Sequence, residues 1–163
     1  MFGDLCNNCT HQNCCTDSAV PLVFSEELKK IKQIDPEYIK HIKTIKIKNK
    51  DITFIKKKGD TTRCSYLDKT NRCTIYESRP MDCKMYPFDI LFINNAYRWI
   101  VYSCNVESNW MWSEEYLQKL EKDIGFDEFM KNIDVFSEHT NMVLPKESKK
   151  TPYVVLRQVN CIT

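Results

Sequence analysis

The chain has 163 residues, 42% hydrophobic and 28% charged, with a formal net charge of +2, which fits one folded domain and gives no strong pull toward nucleic acid or anionic membranes. Nine cysteines stand against three glycines, and Gly3, Gly59 and Gly125 are isolated, so no glycine-rich phosphate loop of the dinucleotide or P-loop kind can be drawn. No apolar run approaches the ~18 residues that span a bilayer. The polar, cysteine-rich start from Met1 to Cys15 lacks the apolar core of a secretory signal; a reducing, cytoplasmic setting is therefore expected, in which clustered cysteines read as metal ligands.

Residues 1–24 form a cysteine-rich arm with the turn formers Asn7, Asn8, Asn13 and Asp17. A helix is expected to start after Ser25 as N-cap, with Glu26 and Glu27 at its positive end and Leu28, Ile31 and Ile34 at helical spacing. Asp35 and Pro36 read as a second N-cap and first-turn proline, with Tyr38, Ile39 and Ile42 on the apolar face. From Thr44 the period changes to two, and Ile45, Ile47, Ile52 and Phe54 predict a hairpin turning between Lys48 and Asp51. Phe88–Ile93 and Tyr97–Tyr102 predict a second hairpin through Asn94 and Asn95.

Beyond Cys104 the chain reads as helical. Ser113 caps a helix carrying Tyr116, Leu117, Leu120 and Ile124 and ended by Gly125. A following helix uses Phe126, Phe129, Met130, Ile133 and Phe136, and Tyr153–Val159 reads as a last strand. The expected fold is α+β: small antiparallel hairpins or a sheet with flanking helices, organised around a cysteine-ligated metal centre. Its single domain divides into the arm 1–24, a metal-binding core 25–104 and a mainly helical C-terminal part 105–163.

Charge is uneven. Residues 25–58 hold eleven lysines against five acids, and residues 105–151 hold ten acids against six lysines. Solvated helix faces and edge strands that resist pairing account for most of this, and a basic face for an acidic partner is the sharper alternative.

The arm reads Cys6-Asn7-Asn8-Cys9, then Cys14-Cys15. A Cys-x-x-Cys step is the knuckle in which two thiolates reach one metal. The vicinal pair Cys14-Cys15 points to opposite sides of an extended segment, which suits two metal centres, or two irons of a cluster, better than one tetrahedral ion. Downstream stand Cys64, Cys73, Cys83 and Cys104, making eight thiols in two blocks of four. Eight thiolates satisfy two four-cysteine sites: two zinc ions, two clusters, or one of each. Cys161 is left over. The radical-SAM and bacterial-ferredoxin cysteine runs are absent.

The arm, Phe24, and the block from Cys64-Ser65-Tyr66-Leu67 through Cys73-Thr74-Ile75-Tyr76-Glu77-Ser78-Arg79-Pro80-Met81-Asp82-Cys83-Lys84-Met85-Tyr86-Pro87-Phe88 resemble the YkgJ-type cysteine-cluster family. This is a zinc- or iron-chelating domain with a CxxCxxxCC signature, and the resemblance spans residues 6–104. It implies that Cys6, Cys9, Cys14, Cys15, Cys64, Cys73, Cys83 and Cys104 are metal ligands, with an iron–sulfur cluster (4Fe–4S first) as the cofactor and zinc as the alternative. Two departures stand out: four residues, not three, separate Cys9 from Cys14, and Asn105-Val106 follows Cys104 where relatives show Pro-Gly.

Around these ligands, Glu77 and Arg79 are expected to pair with each other or with nearby backbone, and Lys84 to offset thiolate charge. Trp99, Trp110, Trp112, Tyr97 and Tyr102 are expected as core and as an apolar cover for the metal. His11 reads as a turn residue before an extra ligand, and His41 and His139 as ordinary helix positions. Three functions follow as alternatives: a redox or regulatory cluster protein, a metal-dependent enzyme acting on a peptide or protein side chain, and a structural zinc module. An unidentified protein or peptide partner fits each of them; neither membrane nor nucleic acid is expected.

Overall fold

The computed structural model describes residues 20–47, 49–59, 61–102, 109–134 and 152–160. Helix α1 (Ser25–Ile34) is followed by a 3-10 turn (Tyr38–Lys40) and the hairpin β1 (Ile42–Ile47) and β2 (Lys50–Ile55). A second 3-10 turn (Tyr76–Ser78) leads to the short helix α2 (Met81–Met85), then β3 (Phe88–Ile93) and β4 (Ala96–Tyr102). Helices α3 (Ser113–Glu121) and α4 (Ile124–Lys131) precede β5 (Tyr153–Gln158). The result is α+β with two small antiparallel sheets: a pair β1-β2 and a triplet β3-β4-β5.

Both expected hairpins form. Asn94 and Asn95 each take the left-handed conformation (φ 52° and 60°), the geometry of a two-residue turn that matches strand twist. The β4-β5 pairing shifts register between Trp99 and Ile100, so Trp99 stays opposite Arg157 while Ile100 pairs with Val155.

The apolar side chains separate into two clusters. The larger one gathers Phe88, Ile90, Trp99 and Val101 from the triplet, Leu117, Leu120, Phe126 and Phe129 from α3 and α4, and Met81 and Met85 from α2. Trp99 has no solvent exposure and stacks on Phe126 with ring centroids 5.6 Å apart. The smaller cluster holds Val23, Ile31, Ile42, Ile55, Tyr66, Leu67 and Ile75. The β1-β2 hairpin lies between the two. Cross-strand pairing puts Ile45 with Ile52 and Ile42 with Ile55; because side chains alternate along a strand, Ile47, Ile52 and Phe54 join the larger cluster while Ile42 and Ile55 join the smaller.

Four expected boundaries move, each for a visible reason. Ser113 is the first residue of α3 and not its cap, and its hydroxyl donates to Trp110 O (2.6 Å). Ser25 is the first helical residue and not the cap: the Glu27 carboxylate turns back to accept from the Phe24 N–H (2.9 Å), and the Ser25 hydroxyl donates to Glu128 (2.6 Å). The second helix after Asp35 is only the 3-10 turn, since Ile42 is already paired with Ile55 in the sheet. Gly125 does not end α3; it lies in the first turn of α4, whose N-cap Asp123 accepts from the Gly125 N–H (2.9 Å), and Ile124 is 81% exposed and outside the core. A Cβ on Gly125 would stand 3.2 Å from the Glu27 carboxylate. Phe136 and His139 lie outside the described residues.

A buried carboxylate joins α3 to the triplet. Glu121 accepts from Trp99 Nε1 (2.8 Å), from Arg157 Nη1 and Nη2 (2.7 and 3.0 Å), and from the Asn160 N–H (3.0 Å). Burial disfavours its charged form, but the bonds from Arg157 and Trp99 outweigh that and hold its pKa below the usual carboxylate value. Glu121→Ala leaves the buried Trp99 indole N–H without its acceptor and takes one of two carboxylates from the half-buried Arg157, which keeps Glu114 (2.7 Å), so a loss of about 2–3 kcal/mol is expected in denaturant unfolding; a change under about 1 kcal/mol would show that this network does not hold the sheet to α3.

Candidate metal centre

Of the eight expected ligands, the described residues contain Cys64, Cys73 and Cys83, all thiols and none a disulfide half. Cys6, Cys9, Cys14, Cys15 and Cys104 lie outside them, as do His11 and Cys161. The three described thiols share one environment: Cys64 is a buried member of the smaller apolar cluster, and Cys73 and Cys83 pack against it. Thiols sharing a water-poor patch with few competing donors suit zinc or iron. Among the described residues no three Cys, His, Asp or Glu side chains converge as a set that could hold a metal ion.

Cys64 and Cys73 are presented by a twice-paired ribbon. Ser65 N–H donates to Lys56 O (3.0 Å) and Lys58 N–H to Arg63 O (2.8 Å), which sets Lys57 opposite Cys64. Thr74 N–H donates to Tyr66 O and Asp68 N–H to Arg72 O (2.9 Å each), which sets Leu67 opposite Cys73. In both cases the bonds flank the pair and do not join it. These are the non-hydrogen-bonded positions, where facing side chains come closest. Asp68 makes the tight turn: its carboxylate accepts from the N–H groups of Thr70 and Arg72 (2.7 and 2.9 Å), which holds it below the ordinary carboxylate pKa.

Tyr66 lies between these two cysteines in the ribbon. Its hydroxyl donates to Asp35 Oδ2 (2.9 Å), and its ring meets the His41 imidazole at 4.7 Å, so His41 packs on the ribbon from the segment after the 3-10 turn. Burial, then Asp35, then Cys64 and Cys73 push the Tyr66 hydroxyl well above its ordinary pKa, so it remains a protonated donor to Asp35.

Cys83 comes from α2, which has only five residues and is too short to be stable alone. Tertiary contacts clamp it at both ends. Met81 N–H donates to Glu27 Oε1 (2.5 Å) and the Tyr116 hydroxyl to Lys84 O (2.6 Å). Lys84 Nζ donates to Asp123 Oδ2 and the Leu22 N–H to Asp82 Oδ2 (2.8 Å each). Lys84 is thus committed to Asp123 and not to a thiolate. Arg79 lies over the Tyr76 ring (3.7 Å) and donates to Tyr76 O (3.0 Å), taking the backbone alternative and not the pairing with Glu77.

The aromatic residues near Cys104 take the expected role as core. Trp99 is in the larger cluster, with Tyr97 and Trp110 packed against it; Trp112 meets Phe88 edge-on at 6.2 Å, and the Tyr102 hydroxyl donates to Asp89 (2.8 Å). They build core beside the sheet, not a cover over the described thiols. The residues that the sequence reading missed are Glu27, Asp35, Tyr66 and Asp82. Only Glu27 left a signal, as the acidic third residue of a helix.

A family model described as "CxxCxxCC: Putative zinc- or iron-chelating domain" matches residues 5–105. The chain belongs to this cysteine-cluster family. The matched span starts one residue before Cys6 and ends one residue after Cys104, enclosing eight cysteines and leaving Cys161 outside. The family name writes two residues before its vicinal pair, whereas this chain has four between Cys9 and Cys14. No curated protein and no solved structure matches the chain. Among the described residues no helix is long and apolar enough to cross a membrane.

Two outcomes follow from this packing. Glu27→Gln keeps one acceptor and loses the other, so it is expected to cost about 1–2 kcal/mol and to speed alkylation of Cys83 in the metal-free protein more than that of Cys64, read by mass spectrometry. The second concerns pH. Burial raises the carboxyls of Asp82 and Asp89 to about 7 and about 6. A carboxyl raised on folding favours the native state most below its unfolded pKa of about 4, and that contribution is lost as pH rises through the folded value. Metal-free protein is therefore expected to melt at lower temperature at pH 8 than at pH 5, and Asp89→Asn to flatten this slope by on the order of 2 kcal/mol; an unchanged slope would exclude Asp89 as its source.

Proposed function

We propose that this chain chelates iron or zinc through thiolates drawn from both cysteine blocks, with the arm folding back onto residues 64–104. The observation that carries this reading is the family match across both blocks, supported by three thiols on one apolar cluster. An iron–sulfur cluster, 4Fe–4S in the first instance, is the proposed form, serving a redox or regulatory role in the cytoplasm. Zinc is the alternative.

Bound metal would supply electron transfer as a cluster, or a fixed cross-link as zinc. The chain's own contribution is positional. The paired ribbon fixes Cys64 and Cys73, and the clamped helix α2 fixes Cys83. Because donors come from distant parts of the chain, metal binding is also expected to stabilise the fold.

The deciding experiment is purification under anaerobic conditions followed by analysis of iron, sulfide and zinc per chain. Iron with matching sulfide and a brown colour is the expected result, and zinc alone would replace the cluster with a structural ion. Cys64→Ser, Cys73→Ser and Cys83→Ser are each expected to lower bound metal by about half or more, through loss of one thiolate of a four-thiolate site. Three variants with full metal content would overturn the assignment of these residues.

A further inference from the structure

Lys56, Lys57 and Lys58 form a basic run that leads into the cysteine ribbon, and the three side chains part ways. Lys56 Nζ donates to Ile39 O (3.3 Å) and Lys58 Nζ to Leu67 O, both ending on backbone carbonyls. Lys57 is paired directly with Cys64, at a position where the flanking bonds are Ser65 N–H to Lys56 O and Lys58 N–H to Arg63 O. Partners at such a position project to the same face with Cβ atoms about 4.5–5.5 Å apart. The Lys57 ammonium nitrogen is withdrawn from solvent and Cys64 is buried, so a cation and a thiol share a low-dielectric face.

From this juxtaposition we propose that Lys57 is the charge-compensating residue of the metal centre: its ammonium sits against the Cys64 thiolate, offsets the negative charge of the thiolate set and holds Cys64 in its ligating position. The proposal rests on the metal-chelating reading above. A site of four thiolates carries a net negative charge with either zinc or a cluster, and enclosing that charge is costly without a nearby cation. Groups that bond to a metal's ligands set its affinity by this kind of contact. Of the basic residues that adjoin a described cysteine in sequence, Lys84 has its Nζ bonded to Asp123 at 2.8 Å and Arg63 donates to Asn71 Oδ1. A half-buried lysine whose ammonium is withdrawn from solvent across from a buried cysteine has no need of that position for solubility, since the surface of this segment is already rich in lysine.

The test uses the whole chain, zinc alone as probe, chelator competition for affinity, and mapping of zinc-protected cysteines by alkylation and mass spectrometry. Lys57→Met is expected to weaken zinc binding about 10–100-fold and to lower protection at Cys64 more than at Cys83, while Lys57→Arg, which retains the charge, stays near the parent. Unchanged affinity in Lys57→Met would overturn the role. Equal losses in Lys57→Met and Lys57→Arg would also overturn it, showing that Lys57 acts through packing. If Lys57→Met fails to fold by circular dichroism, the neutral and polar Lys57→Gln takes its place with the same outcomes. A parent chain that binds no zinc or iron and protects no cysteine overturns the metal-chelating reading itself, a result distinct from all of these.

Discussion

The Glu27 carboxylate joins two helix starts that lie far apart in the chain. One oxygen accepts from Phe24 N–H and the other from Met81 N–H, so the N-terminal turns of α1 and α2 meet on a single buried carboxyl group. The first turn of α4 also approaches it, closely enough that a Cβ on Gly125 would stand 3.2 Å away. Burial raises the Glu27 pKa, while the two backbone donors act to lower it; three helix N-termini nearby favour negative charge at that point. A five-residue helix cannot hold its own shape, so the orientation of Cys83 is inherited from this junction and from the contacts of Lys84 with Asp123 and Tyr116.

That dependence explains why the described cysteines are spaced so widely in sequence. Cys64 and Cys73 are placed by cross-strand pairing within one ribbon, and Cys83 by tertiary bonds to residues more than thirty positions away. A knuckle presents two sulfurs through local turn geometry alone. Here no such knuckle is used, and packing sets all three side chains at one apolar cluster. The β1-β2 hairpin makes this arrangement possible by giving one face to each cluster, so the thiol environment is walled off from the larger core yet rigidly connected to it.

Much of the framework was legible from periodicity and turn chemistry. The Asn94-Asn95 turn, both hairpins, the buried face of Phe126, Phe129 and Ile133, and the final strand all rest on local signals that tertiary contacts reinforce. The misses share one cause. Ser25, Asp35 and Gly125 each carry a residue type that favours a helix end, yet each is used for a long-range contact or as part of the next element: Ser25 bonds Glu128, Asp35 bonds Tyr66, and Gly125 makes room for Glu27. Motif spacing located the thiols but could not say what surrounds them. Neighbours in sequence were the natural guess for that, and for Lys84 it named a thiolate where the structure has Asp123.

Two lysines, Lys84 and Lys57, make the same point about charge. Lys84 follows Cys83 directly, but on a helix the adjacent residue points about 100° away, and its ammonium is drawn to the N-cap of α4 instead. Lys57 is seven residues from Cys64 in sequence, but antiparallel pairing makes the two direct neighbours on one face. Electrostatic partners of a thiolate follow from strand register more than from chain proximity. In this chain the register is fixed by two flanking backbone bonds that no side-chain change at position 57 removes. Position 57 is therefore a place where charge can be altered while the backbone bonds that flank it are kept.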